Sequence, residues 1–156
     1  MIKINLITIG DIKEKYLKDA IAEYSKRISR FADLKIIEIK ENVAKTNNQQ
    51  DILNALKKDA VEIKKHLKGH IICLDIQGKQ FSSENFAKNI EKISLSNSEI
   101  SFVIGASNGI DNEIKSIANE KMSFSSMTFP HQLMRVIFLE QLYRAFTILN
   151  NISYHK

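Results

Sequence analysis

The chain has no tryptophan, one cysteine and one proline among its 156 residues. With Cys73 alone, no disulfide can close within the chain, which is the cysteine usage of a reducing compartment. Cys73 lies in the apolar run HIICLDI, where a thiol serves as a small core side chain rather than as a nucleophile. Long hydrophobic runs are also missing: none approaches the roughly 20 residues of a membrane-spanning helix. The N-terminal MIKINLITIGD is too briefly apolar for a secretory signal and has no cleavage pattern. A cytoplasmic protein is expected. There is no HExxH, no CxxC and no paired-carboxylate arrangement, so metalloenzyme and glycosidase chemistry have no support and no metal is expected. Neither G-x-G-x-x-G nor G-x-x-x-x-G-K-[ST] occurs, which counts against dinucleotide and nucleoside-triphosphate folds.

What is present is an ordinary globular composition, 44% apolar and 26% charged. One domain spanning residues 1–156 is the simplest organisation. Lysine and arginine outnumber aspartate and glutamate 23 to 18, a formal charge of +5 that suits an anionic partner. Lys13, Lys15, Lys18, Lys26, Arg27 and Arg30 gather in the first helical segment. They form either a solvated helix face or a face toward a polyanion.

Periodicity divides the chain into alternating strands and helices. Lys3 to Ile9 alternates apolar and polar and reads as a strand. Ile12, Tyr16, Ala20, Tyr24 and Ile28 recur every fourth residue, which predicts an amphipathic helix with Asp11 as its N-cap. Leu34–Ile39 is a second strand, residues 41–50 a polar loop, and Ile52–Leu67 a second helix. His70–Ile76 is apolar throughout, as a central strand should be. Ser82 or Ser83 caps a third helix running to about Leu95. Ile100–Ile104 and Met122–Ser125 are the last two strands, with a short helix over Asp111–Asn119 between them. Pro130 suits the first turn of a closing helix that reaches Asn150, where its missing N–H costs nothing. The fold class is therefore α/β, a mostly parallel sheet flanked by helices.

The closing helix is apolar on most sides. Either it is buried within its own fold, or part of it packs against a second copy; a homodimer built on this helix is the expected outcome. Glu140 and Arg144, four apart, can pair.

Ligands of parallel α/β sheets bind beyond the carboxyl ends of the strands. Here those loops are LDIQGKQ, VIGASNG and FSSMTFP. Gly105 and Gly109 let backbone approach a ligand closely, or are simply turn residues. The loop Phe124 to Phe129 has no acid–base pair. Its run of backbone amides and carbonyls can read the edge of a planar heterocycle, with Phe124, Met127 and Phe129 as apolar walls and Ser125, Ser126 and Thr128 as hydroxyls. His131 is a proton acceptor or a helix-terminus hydrogen bonder. Arg135 holds phosphate, orients the loop, or makes an interface ion pair. The last residues, SYHK, are a docked terminus or a substrate clamp, in which Tyr154 stacks on a base while His155 and Lys156 meet phosphate.

Taken together, ITIGDIKEKYLKDAIAEYSKR, LDIQGKQFSSENFA, FVIGASNG, MSFSSMTFPHQLMRV, EQLYRAF and the terminal YHK resemble the RlmH family over the whole length. These are SPOUT-class, S-adenosylmethionine-dependent methyltransferases acting on N3 of a pseudouridine in 23S ribosomal RNA. The resemblance implies a deep trefoil knot near the C-terminus, although knots are very rare. It implies a cofactor pocket at Leu74, Gly105, Phe124, Ser125, Ser126, Met127, Thr128 and Phe129. It implies a two-fold dimer in which one tail, with Tyr154, His155 and Lys156, lies beside the other subunit's cofactor. His131, Arg135 and His155 are the candidate catalytic residues, and the assembled ribosome is the expected substrate. A non-catalytic ribosome- or RNA-binding factor with the same fold is the alternative. One departure stands out: Ala106 occupies a position where relatives commonly carry glycine, and a positive φ there would strain it by about 1 kcal/mol or more.

Overall fold

The structure is a computed structural model that describes residues Met1–Lys156. Its elements are β1 (Ile2–Ile9), α1 (Lys15–Ile28), β2 (Ala32–Ile39), α2 (Gln49–Lys64), β3 (His70–Gln80), α3 (Ser83–Ser94), β4 (Glu99–Ile104), α4 (Asn112–Ile117), β5 (Glu120–Ser123) and α5 (His131–Leu149). The strands form one sheet in the order β2-β1-β4-β3-β5. Every neighbouring pair is parallel.

Each face of the sheet carries its own core. Ile4, Leu6, Phe102 and Ile72 pack under α1, α3 and α5 against Phe86, Ile90, Phe138 and Leu142. Ile7, Ile9, Cys73 and Val103 pack on the other face against Ile63, Ile110 and Ile114. This two-sided burial encloses β1. Its polar residues are inside as well: Asn5 is buried and donates to Glu99 Oε1 at 2.7 Å, and Thr8 is fully buried. A strand covered on both faces has no reason to alternate.

Three boundaries differ from expectation, each for an identifiable reason. Asp11 does not cap α1; the helix starts at Lys15 behind Glu14, which makes no side-chain cap. The carbonyls of Ile9 and Gly10 accept from Arg135 on α5, which holds the chain in a turn where the helix was expected to begin. Tyr16 is accordingly 69% exposed, while Leu17 and Ile28 are the buried residues of α1. Second, α2 begins inside the polar stretch, because the Asn48 side chain accepts from the Asp51 N–H at 2.8 Å. Third, β3 continues past Ile76 to Gln80. It pairs with β5 through Leu74 opposite Met122, then again through Lys79, with residues 75–78 bulging out of the ladder.

The expected cap at Ser82 is present: its hydroxyl accepts from Asn85 N at 3.1 Å. Asp111 caps α4 in the same way. Pro130 stands at the N-cap of α5 rather than within its first turn, with extended ψ of 133° and its carbonyl accepting from Met134 N at 2.9 Å. The fixed φ of proline sets the exit angle from the preceding loop.

One side of α5 is buried in its own fold. Phe138, Leu139, Leu142, Ala145 and Phe146 all belong to the core between α1 and α3. Met134, Tyr143, Ile148 and Leu149 are partly buried against the same core. The apolar residue left most open on this helix is Leu133, at 39% exposure.

Candidate functional site

The C-terminal ends of β3, β4 and β5 surround a hollow of about 720 Å³, within the roughly 300–1,000 Å³ of small-molecule sites. Its walls come from the three loops that the parallel topology places together. Leu74, Asp75 and Ile76 enter from the bulge of β3, residues 104–110 from β4, and Met122 to Ser125 with Met127 to Pro130 from the segment after β5. His131 and Met134 close it from the first turns of α5, and Lys115 from α4.

Leu74, Gly105, Phe124, Ser125, Met127, Thr128 and Phe129 all line this hollow; Ser126 does not. His131 lines it, whereas Arg135 and the terminal residues do not. Asp75 and Lys115 carry the charges of the wall and pair at 3.3 Å, with the Asp75 side chain only 9% exposed. The sequence pattern contained no clue to Lys115, because it lies on a helix that follows the glycine loop rather than in the loop.

The loop after β4 is tightly folded. Gly109 N donates to Ala106 O at 2.9 Å, and the two residues form an isolated antiparallel bridge. The left-handed residue in this loop is Gly109, at φ +82°; Ala106 is not among the positive-φ residues. The anticipated strain at Ala106 is therefore absent. Past β5, Ser123 Oγ donates to Ser125 O, and the Ser125 hydroxyl accepts from Met127 N, both at 3.0 Å. Phe124 stacks on buried Phe138 with centroids 6.3 Å apart, which anchors this segment to α5.

Arg135 lies in the core, 2% exposed. Its Nη2 donates to Ile9 O at 2.8 Å and Gly10 O at 2.7 Å, and its Nη1 donates to Glu38 Oε2 at 3.0 Å. Burial pulls the guanidinium below its ordinary pKa, opposed by Glu38. The expectation of a phosphate, loop or interface contact gives way to an internal clamp joining α5 to the ends of β1 and β2.

The tail is docked. Asn150 and Asn151 end α5 in a Schellman turn: Ile152 N reaches Thr147 O at 2.9 Å and Asn151 N reaches Ile148 O at 3.3 Å. Asn151 takes φ +55°, a conformation asparagine tolerates. The chain then runs back along α5. Tyr154 sits edge-on to Tyr143 at 4.8 Å and under the Arg144 guanidinium at 4.8 Å, and its hydroxyl donates to Glu140 Oε1 at 3.2 Å. Burial, then the nearby Glu140 charge, raises the Tyr154 phenol above its ordinary range. Glu140 and Arg144 pair as their spacing predicts, through Nε at 2.9 Å and Nη2 at 2.5 Å. His155 reaches Glu84 at the start of α3.

Cys73 is fully buried, and desolvation, reinforced by Asp75, pushes its thiol up to about 11. The thiolate is the reactive form. Native protein at pH 8 is expected to resist iodoacetamide and to label fully once denatured, as peptide mass spectrometry would show. Rapid labelling of the native protein would contradict a core role.

No helix is long and apolar enough to cross a membrane, and no group of three His, Cys, Asp or Glu side chains is placed to hold a metal ion. A family model described as "Predicted SPOUT methyltransferase" matches residues 2–155. The chain is 48% identical to a ribosomal RNA large subunit methyltransferase H of Fusobacterium nucleatum, over 98% of this chain and 99% of that one. It is 49% identical to the protein of the same name in Clostridium botulinum, with the same coverage. Two solved structures resemble the fold. A probable methylase family protein from Haemophilus influenzae superposes with TM-score 0.54 at 16% identity, covering 98% of this chain and 70% of that one. A tRNA (m1G37) methyltransferase from Aquifex aeolicus does so with TM-score 0.52 at 11% identity, covering 90% and 69%. At such identities these two report on the fold alone.

Proposed function

Because the chain belongs to the SPOUT methyltransferase family, we propose that it transfers a methyl group from S-adenosylmethionine to N3 of a pseudouridine in 23S ribosomal RNA, acting on the assembled ribosome as a cytoplasmic homodimer. The observation that carries this reading is the hollow beyond β3, β4 and β5. Its residues fit the cofactor. The close approach of Gly105 to Gly109 O leaves no space for a side chain there and keeps the wall flat. The segment from Ser123 to Pro130 presents backbone amides and carbonyls, with Phe124, Met127 and Phe129 as apolar surfaces. Asp75 and Lys115 offer one charge of each sign, the complement of a zwitterionic amino-acid end.

When bound, S-adenosylmethionine supplies a methyl group on a positively charged sulfur. The protein's part is to hold that group and the target base in line at roughly 3–3.5 Å and to exclude water. A ring N–H must also lose its proton. His131 stands in the wall of the hollow and His155 on the tail, and both have near-neutral reference pKa values.

The homodimer reading is supported by the open ends of α1 and α5. Tyr16 is 69% exposed and Leu133 39%, and Lys13 N donates to Gln132 Oε1 at 3.4 Å where the two helix entrances meet. The trefoil knot belongs to the same reading. It is supported by β5 lying at the far edge of the sheet, from which α5 returns to pack between α1 and α3.

The decisive test is mass spectrometry of ribosomal RNA from cells with and without this protein, with the pseudouridine methyl expected to disappear. With purified components, whole ribosomes are expected to be methylated many-fold faster than free rRNA, because a net charge of only +5 gives weak purchase on naked RNA. Equal rates on both would refute recognition of the assembled particle. Calorimetry without heat from S-adenosylmethionine, alongside normal ribosome binding, would favour a non-catalytic binding factor.

A further inference from the structure

His155 has both ring nitrogens engaged. Its Nε2 lies 2.6 Å from Glu84 Oε1, and its Nδ1 lies 3.1 Å from Arg144 Nη1. The two partners are of opposite kind. A carboxylate only accepts hydrogen bonds, and a guanidinium only donates them. The proton of a neutral ring must therefore sit on Nε2, and the lone pair of Nδ1 faces Arg144. Ring orientation is set by the same two contacts, from two helices, with Tyr154 packed beside them against Arg144. Consistent with the contact, the hydrogen bond from His155 is the leading reason that Glu84 ionises below its ordinary range.

Resting on the reading that His155 meets the substrate, we propose that Glu84 is a positioning residue for methyl transfer: it holds His155 as the Nε2–H tautomer and so makes Nδ1 the atom that takes the proton of the target base. Arg144 keeps two bonds to Glu140 through Nε and Nη2, so releasing Nδ1 costs it one contact. A ring N–H of the base takes the place of the guanidinium N–H. As the proton moves to Nδ1, the Nδ1 lone pair forms the new N–H bond. The base nitrogen retains the electron pair of its broken N–H bond and would use it to bond the methyl carbon, the carbon–sulfur pair of the sulfonium donor going to sulfur to leave a neutral thioether. The ring becomes imidazolium, and the Glu84 carboxylate, already on Nε2–H, faces the new charge. A tautomer fixed from behind is a recurring requirement of histidine bases.

The test uses full-length 15N-labelled protein and ribosomes as substrate. In wild type, two-bond 1H–15N imidazole spectra should show His155 as a single Nε2–H species. Arg144 still donates to Nδ1 when Glu84 is removed, so the tautomer is read in an Arg144→Ala background, where adding Glu84→Ala should give a mixture of tautomers. Glu84→Ala alone should lower kcat about tenfold or more with KM within about twofold. Glu84→Gln retains an acceptor oxygen and should restore both the spectrum and most of kcat. Glu84 is exposed on the first turn of α3, so the fold is expected to survive either change. An unchanged spectrum on adding Glu84→Ala to Arg144→Ala overturns the proposal. So does an unchanged kcat when His155→Ala is inactive, in which case the reading of His155 stands. Full activity of His155→Ala would overturn both.

Discussion

Gly105→Ala is expected to weaken S-adenosylmethionine binding by about 100-fold or more, which is about 2.7 kcal/mol, while far-UV circular dichroism stays native. A Cβ at Gly105 would lie 2.3 Å from Gly109 O, 2.6 Å from Gly109 C and 2.9 Å from Ile110 Cγ1. Two of these atoms are backbone, so the clash is relieved only by moving the loop. That movement pulls apart the Ala106–Gly109 bridge that shapes one wall of the hollow. Gly109→Ala provides the contrast. Nothing lies within 4 Å of its Cβ position, but its φ of +82° disfavours any L side chain. It should cost about 1–2 kcal/mol of stability and disturb cofactor affinity far less. Calorimetric titration of the two variants separates a filled cradle from a strained turn. Native affinity in Gly105→Ala would place the cofactor elsewhere.

Arg135→Ala should have the largest effect on stability. Its guanidinium bridges α5 to the carbonyls of Ile9 and Gly10 and to Glu38. Removal leaves two carbonyls short of donors and opens a void at a site that is 2% exposed. Unsatisfied buried acceptors cost about 1–3 kcal/mol each. Glu38 is half-exposed and can turn to water, so its loss adds less. A total on the order of 3–5 kcal/mol would lower the melting temperature by roughly 10 °C, at about 2–4 °C per kcal/mol for a chain of this size. Differential scanning calorimetry measures this directly. Activity should fall through the melted fraction, and at temperatures well below melting it should remain. A native melting temperature with methylation abolished would instead make Arg135 a residue of the reaction.

Much of the architecture was legible in the sequence because it rests on local periods. The apolar spacing of α2 and α3, the run of β3, the hydroxyl of Ser82 and the ring of Pro130 each act over a few residues. The start of α1 slipped under pressure from a distant segment. Asp11 lost its cap because Arg135, 125 residues away from Gly10, holds the preceding carbonyl. The burial of Asn5 and Thr8 was not legible, because polarity reveals nothing about a second layer of helices. Seven of the eight expected cofactor residues line one hollow, since parallel strands bring their carboxyl-end loops together by topology.

By itself the sequence determined the strands and helices, their parallel order of alternation, the loops that line the hollow and the family. Each follows from short-range pattern or from motifs read in line. Only the tertiary structure decided that Arg135 is a clamp, that Lys115 faces the hollow, that Ala106 is unstrained, and that Glu84 meets His155 across 71 residues. Those outcomes depend on which helix packs against which strand end, and side-chain contacts between remote segments leave no periodic trace in a chain.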